Sequence, residues 1–252
     1  MSGATNIDEV LAALDRIIAT AMAEHSRVGF FAALYRQVTL RVKQGIADGM
    51  FDDGPRMVRL DTVFASRYLD ALDAWDNSGV PTKSWRYALN ATRRSDLIIL
   101  QHLLLGINAH INLDLGVAAA QVAPGDALPS LHGDFQRINQ ILGALTADVK
   151  RVLEQFSPLL HLVDGFGGTV DDAIVNFSLS AARDDAWLHA QVLAGLPASF
   201  QPTTIFVIDT KTALLARLVA DPGRILTAVL DTVNLEESED IPAIIEALNS
   251  IV

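Results

Sequence analysis

Apolar residues recur at spacings of three and four along almost the whole chain, the pattern of helices that bury one face. It predicts a first helix over about 7–25 and a second over about 28–50, where Phe31, Leu34, Tyr35, Val38, Val42 and Ile46 keep the spacing. Asp52-Asp53-Gly54-Pro55 breaks the pattern, and helices over about 58–75 and 82–91 follow. Pro129 opens a helix to about 155 with Phe135, Ile138, Leu142, Leu145, Val149 and Val152 on one stripe, and 159–163 reads as a short turn. Thr169-x-x-Asp172 caps a helix to about Leu193, after which helices are expected over about 202–219, 222–233 and 241–250. Thr203 to Ile208 has the composition of a strand, but its Pro202 start and Leu- and Ala-rich continuation favour helix. The expected class is all-α: a single-domain, multi-helix bundle spanning 1–252, around a central apolar helix at about 96–120. No repeat and no linker divides it.

That central helix departs from the amphipathic pattern. From Leu97 to Leu113 it holds no Asp, Glu, Lys or Arg, so it is apolar on most sides. A membrane span is a poor reading, because Gln101, His102, Asn108, His110 and Asn112 would be expensive in hydrocarbon. The core of a bundle accommodates it. Ser95 is the expected cap. At about 100° per residue the polar groups fall into two rows. Gln101, Asn108 and Asn112 form one; His102, Gly106, His110 and Asp114 follow the i, i+4 ridge.

The second row carries the chemistry. His110 and Asp114, one turn apart, suit a carboxylate orienting an imidazole or a divalent metal ion held by both. His102 lies about 12 Å along the axis from His110, too far to share a ligand ion through this helix alone. Gly106 between them suggests a cleft floor, and Asn108 and Asn112 would position polar groups of a substrate. Gln101 reads as structural. A haem on His102 or His110 stays open.

Elsewhere, Asp61 and Tyr68 share the apolar side of the third helix, while Arg67 and Asp70 read as an i, i+3 surface pair. Asn176, Ser180, Arg183 and Trp187 make a polar stripe; Arg183 could meet a substrate carboxylate or Asp114, or simply a surface carboxylate. His132 and Asn139 flank the Phe135 stripe. Gly165-Phe166-Gly167-Gly168 precedes a helix and reads as a plain loop. Asp70-x-x-Asp73-x-x-Asp76 and Glu236-Glu237-Ser238-Glu239-Asp240 read as solvated acidic stretches.

Composition narrows the function classes. Among 252 residues half are apolar, 19% are charged, and the formal net charge is −11. No basic cluster exists to release counterions, which excludes nucleic-acid binding, and the acidic surface disfavours anionic membranes. With no cysteine there is no thiolate or disulfide chemistry. The start of the chain lacks the regions of a signal peptide and carries Thr5-x-x-Asp8, a capping-box-like helix start, so a cytoplasmic location is expected. His-Glu-x-x-His, paired Glu-x-x-His, P-loop, nucleophile-elbow and dinucleotide motifs are absent.

The run from His102 to Gly116, His-Leu-Leu-Leu-Gly-Ile-Asn-Ala-His-Ile-Asn-Leu-Asp-Leu-Gly, resembles the signature of an uncharacterised bacterial family of all-helical proteins, catalogued as a domain of unknown function. Arg67-Tyr68-Leu-Asp-Ala-Leu and Ala182-Arg183-Asp-Asp-Ala-Trp187 belong to the same likeness. It implies a common pattern over most of the chain and brings no activity with it.

The residues themselves lead to an expectation of two kinds. The first is an enzyme acting on a small, largely apolar molecule between helices by hydrolysis, elimination or isomerisation. His110 would be acid, base or metal ligand, Asp114 would orient it, and His102, Tyr68, Asp61, Arg183 and Trp187 would line the site. The second is a helical protein that binds a hydrophobic ligand or partner, a further copy of itself included, with the polar rows as a buried network.

Overall fold

The computed structural model describes residues 4–164 and 179–251, and among them every regular element is helical. The helices are α1 (Ile7–Ala23), α2 (Val28–Ala47), α3 (Gly54–Asp76), α4 (Lys83–Ala91) and α5 (Ile99–Asn108). A π-helical segment (Ala109–Leu115) follows, then α6 (Gly116–Val122), a 3₁₀ turn (Gly125–Ala127) and α7 (Leu128–Phe156). After them come α8 (His161–Asp164), α9 (Leu179–Gly195), α10 (Gln201–Ala220), α11 (Arg224–Glu236) and α12 (Ile241–Asn249). The loop at Gly165–Gly168, the cap at Thr169 and Asn176 lie outside the described residues.

Punctuation by capping residues, Gly and Pro set the boundaries. Asp53 caps α3 by accepting the Arg56 N–H at 2.9 Å, with Pro55 in the first turn. At α1 the cap is Asn6, which accepts from the Glu9 N–H, rather than Thr5; the Thr5 N–H instead donates back to the Glu9 carboxylate at 2.7 Å. The box is therefore displaced one residue from the expected one. The Thr203–Ile208 stretch is helical, inside α10.

α5, the π segment and α6 form one continuous helix, Ile99–Val122, wrapped by α2, α3, α4, α9 and α10. It is long and apolar enough to cross a membrane by length and composition, and 94% of its most apolar stretch is buried inside the protein. Close approach of its neighbours depends on glycine. A Cβ on Gly106 would sit 2.6 Å from the Phe31 ring, and one on Gly116 would sit 2.6 Å from the Ala186 carbonyl oxygen.

A helix that begins inside a protein must find acceptors for its first N–H groups there. Ser95 does not supply them. The Ile98 N–H donates to Gln101 Oε1 at 3.1 Å, and the Ile99 N–H donates to Glu237 Oε2 at 2.7 Å. Gln101 also donates to the Val219 carbonyl of α10 at 2.9 Å, a structural role. Glu237 thus leaves the solvated acidic stretch: it is half-buried, also accepts from the Ser157 hydroxyl, and burial pushes its carboxyl up to about 7.

Candidate functional site

In a π turn the N–H reaches back five residues, so the turn is wider and side chains at i and i+4 come more nearly into line. His110 and Asp114 sit in that turn, with Nδ1 3.6 Å from Asp114 Oδ2. The gap is an electrostatic contact, longer than a hydrogen bond. Asp114 is pinned from other helices. Its Oδ1 accepts from Arg67 Nε of α3 at 2.7 Å, and its Oδ2 accepts from Trp85 Nε1 of α4 at 2.6 Å.

Aromatic rings enclose the imidazole. Phe64 of α3 stacks on it at 3.6 Å between centroids and 12° between planes. Tyr35 and Phe31 of α2 meet it edge-on at 4.4 and 5.6 Å, and Trp85 stands 6.0 Å away. Burial drives the His110 pKa below the ordinary histidine value; Asp114 opposes that shift and Arg67 adds to it. Burial therefore favours the neutral ring.

Buried polar groups without partners cost about 1–3 kcal/mol each, and native proteins keep few of them. Around this ring they gather. Both nitrogens of His110, the hydroxyls of Tyr35 and Tyr68, and Asp61 Oδ2 are buried and bond to nothing in the protein. Burial raises the Asp61 carboxyl to about 7, and burial first, then the Asp61 charge, raises the Tyr35 phenol.

A cavity of about 440 Å³ opens against His110 and Tyr35, between α2, α5 and α7. Its walls are otherwise aliphatic or aromatic, as at Phe64, Leu104, Leu145 and Leu160, and Thr146, Lys150, Glu154 and His161 stand at its exposed edge. Such a lining, with few polar groups converging on it, is that of a small-molecule site.

The residues expected from the sequence divide. His110, Asp114, Asp61 and Tyr68 come together with the aromatic box, Tyr68 lying 5.1 Å from Phe31 and 5.0 Å from Trp85 between ring centroids. His102 does not join them. It faces Phe30 over a hollow of about 30 Å³ beside Arg27 and Glu237, far too small for a haem, and burial reinforced by the Arg27 charge lowers its pKa to about 3. Gly106 floors no cleft, because the Phe31 ring fills the space over it. Asn108 and Asn112 are bound within the protein: Asn112 Nδ2 donates to Asn108 Oδ1 at 2.9 Å, and Asn108 Nδ2 donates to the Thr212 carbonyl at 3.0 Å. They moor the central helix to α10.

Arg183 meets neither Asp114 nor solvent. It is buried, donates to Asn139 Oδ1 and the Phe135 carbonyl, and lies over the Phe135 ring at 4.4 Å, joining α9 to α7; burial lowers its pKa to about 10. Trp187 packs on Phe135 and His132 in the same seam, 4.9 and 4.7 Å away. A divalent ion on His110 and Asp114 does not fit. Both Asp114 oxygens already carry N–H donors, one of them cationic, and no group of three His, Cys, Asp or Glu gathers among the described residues.

The decisive partners that sequence reasoning missed are Arg67, Trp85, Tyr35 and Phe64. Tyr35 lay on a recognised apolar stripe. Arg67 was assigned to Asp70, and nothing local points either Arg67 or Trp85 at a residue on another helix.

Fold and site together define an all-α protein in which one central helix places a buried imidazole, backed by a carboxylate, at the wall of an apolar cavity. The chain belongs to the family of unknown function DUF5995, whose model matches residues 7–222 and so contains every residue of the site. No curated protein and no solved structure matches it.

Proposed function

We propose that the protein binds a small, largely apolar molecule in the α2–α5–α7 cavity and acts on it through His110 as a general base. The observation that carries this reading is one side chain: a fully buried imidazole, unpartnered on both nitrogens, at the wall of a cavity of about 440 Å³. A neutral ring accepts a proton from bound substrate or water and returns it later in the cycle. Asp114, 3.6 Å from Nδ1, stabilises the imidazolium formed between those steps. Arg67 and Trp85 keep the carboxylate fixed for that purpose. Proton abstraction, as in elimination, isomerisation or base-assisted hydrolysis, is the reaction class.

The test compares the natural protein with His110→Gln, which keeps a polar side chain of moderate size. Both are screened for turnover of apolar esters, enones and alcohols, with circular dichroism to check folding. Loss of turnover in a folded variant supports the reading; a turnover that survives His110→Gln ends it. A binding protein without catalysis is the second reading, favoured by the closure of Asn108 and Asn112 within the protein, which leaves the central helix no polar side chain on this cavity beyond His110. Retention of ligand with no turnover by the natural protein would establish that alternative.

A further inference from the structure

Resting on the reading that this cavity is a ligand site, we infer that its occupant is a linear aliphatic chain of about 12–16 carbons ending in an uncharged hydroxyl, with the hydroxyl at His110 and Tyr35.

Shape supplies the chain. A sphere of 440 Å³ would be about 9 Å across. The lining runs further: Leu100 to Ile111 on the central helix, and Leu142 to Leu153 on α7, are each about 16 Å at 1.5 Å per residue. The two stripes flank the cavity and run in opposite directions. Glu237 accepts from both the Ile99 N–H and the Ser157 hydroxyl, which fixes the start of α5 beside the end of α7. The cavity is therefore elongated rather than round. An extended chain advances roughly 1.2 Å per bond, from 3.3–3.6 Å per three bonds, so about 16 Å holds about 13 bonds.

Its two ends differ. Around Leu100, Leu153 and Leu160 the buried walls are apolar, with Lys150, Glu154 and His161 at the exposed edge, whereas the other end is closed by the side chains of His110 and Tyr35, whose polar atoms are unpartnered and lie just behind the cavity surface. Those groups suit a neutral head. Once those side chains turn toward the cavity, a bound O–H donates to an imidazole nitrogen and accepts from the Tyr35 hydroxyl. A carboxylate head would place a second negative charge in a desolvated pocket beside Asp114, and the neighbouring cation, Arg67, is already paired with Asp114. Burial favours the neutral form of His110, so that end has no compensating positive charge, and Lys150, the cation of the lining, stands at the exposed edge.

Isothermal titration of the full chain at pH 7.5 with 1-alkanols of 8 to 18 carbons, the matching fatty acids, and testosterone as a compact apolar probe tests this. The expected result is an alkanol affinity that rises about threefold to fourfold per methylene and levels off near 14 carbons. The acid of equal length should bind at least tenfold more weakly. His110→Leu should cost the alcohol about tenfold, and Leu104→Trp, checked for folding, should abolish binding. Tight testosterone binding without alkanol binding overturns the linear chain and leaves the cavity as a site. Acids binding as well as alcohols, indifferent to His110, overturn the head group. If no probe binds, the ligand-site reading falls as well.

Discussion

Replacing Arg67 by Met removes the cation from a carboxylate whose side chain is 1% exposed. Breaking a buried ion pair from one side costs about 3–5 kcal/mol, because the remaining charge is left in a poor solvent. Arg67 itself is 22% exposed, so water can follow the Met side chain inward, and the expected loss lies at the low end, about 3 kcal/mol. Asp114→Asn alone turns an amide N–H₂ or a weaker acceptor toward the guanidinium and costs about 2 kcal/mol. The double variant carries no uncompensated charge, and its amide oxygen still accepts from Trp85. The two losses should therefore fall short of adding, with a coupling energy of about 2 kcal/mol in a double-mutant cycle. Urea unfolding at pH 7, followed by circular dichroism and tryptophan fluorescence, measures it. The histidine resonances give a second readout, since the Arg67 charge lowers the His110 pKa and the Asp114 charge raises it. Arg67→Met should move the His110 titration up and Asp114→Asn should move it down. Additive losses, with coupling below about 0.5 kcal/mol, would refute the claim that Arg67 exists to hold Asp114 charged beside the imidazole.

Other consequences are as accessible. Gly106→Ala gains about 1 kcal/mol of helix propensity but drives a methyl into Phe31, which is fenced by Tyr68, Trp85 and His110, so a net loss of about 1–2 kcal/mol is expected. Gly143→Ala on α7, where nothing lies within 4 Å of the new Cβ, should stabilise by about 0.5–1 kcal/mol, and the opposite signs in thermal melts check both. Asp61 holds its proton up to about pH 7 in the folded chain against about 3.9 unfolded, so the folded state binds more protons between these values and loses stability as pH rises through them. Asp61→Asn should abolish that loss, being more stable than the natural protein at pH 8 and near neutral at pH 4; a variant no better at pH 8 than at pH 4 contradicts the buried-acid assignment. Asp209→Ala deprives the Lys83 N–H, the Ser84 N–H and the Ser84 hydroxyl of their acceptor at the start of α4, an expected cost of about 2 kcal/mol by urea titration.

Local order was open to reading in the sequence. The helices announced themselves through three-and-four spacing, and His110 and Asp114 could be paired because four residues on a helix is a distance the chain itself sets. The charge-free run from Leu97 marked the central helix because a side chain with no polar face has nowhere to go but inward. Long-range pairing was closed to that kind of reading. Arg67 is three residues from one aspartate and 47 from the one it holds, and spacing alone favours the near one. Arg183 looked like a surface residue because its acceptors, Asn139 and the Phe135 carbonyl, sit on another helix. Asn108 and Asn112 looked available for a substrate until the Thr212 carbonyl of α10 took up the Asn108 amide. Even the wheel drawn for the central helix assumed 100° per residue throughout, and the widened turn at Ala109–Leu115 breaks that assumption where the chemistry lies.

That widened turn also sets a length. A π turn holds one more residue than an α turn, so removing one residue from it would return the helix to a regular course. Gly106 and Gly116, each fitted to a neighbour's backbone or ring, bracket the turn and keep the two ends of the helix docked. A family member with a regular helix here would carry nine residue steps between those glycines instead of ten. There the equivalents of His110 and Asp114 would lose their alignment, so the length of this one interval would sort the members that share the imidazole–carboxylate pair from those that share only the bundle.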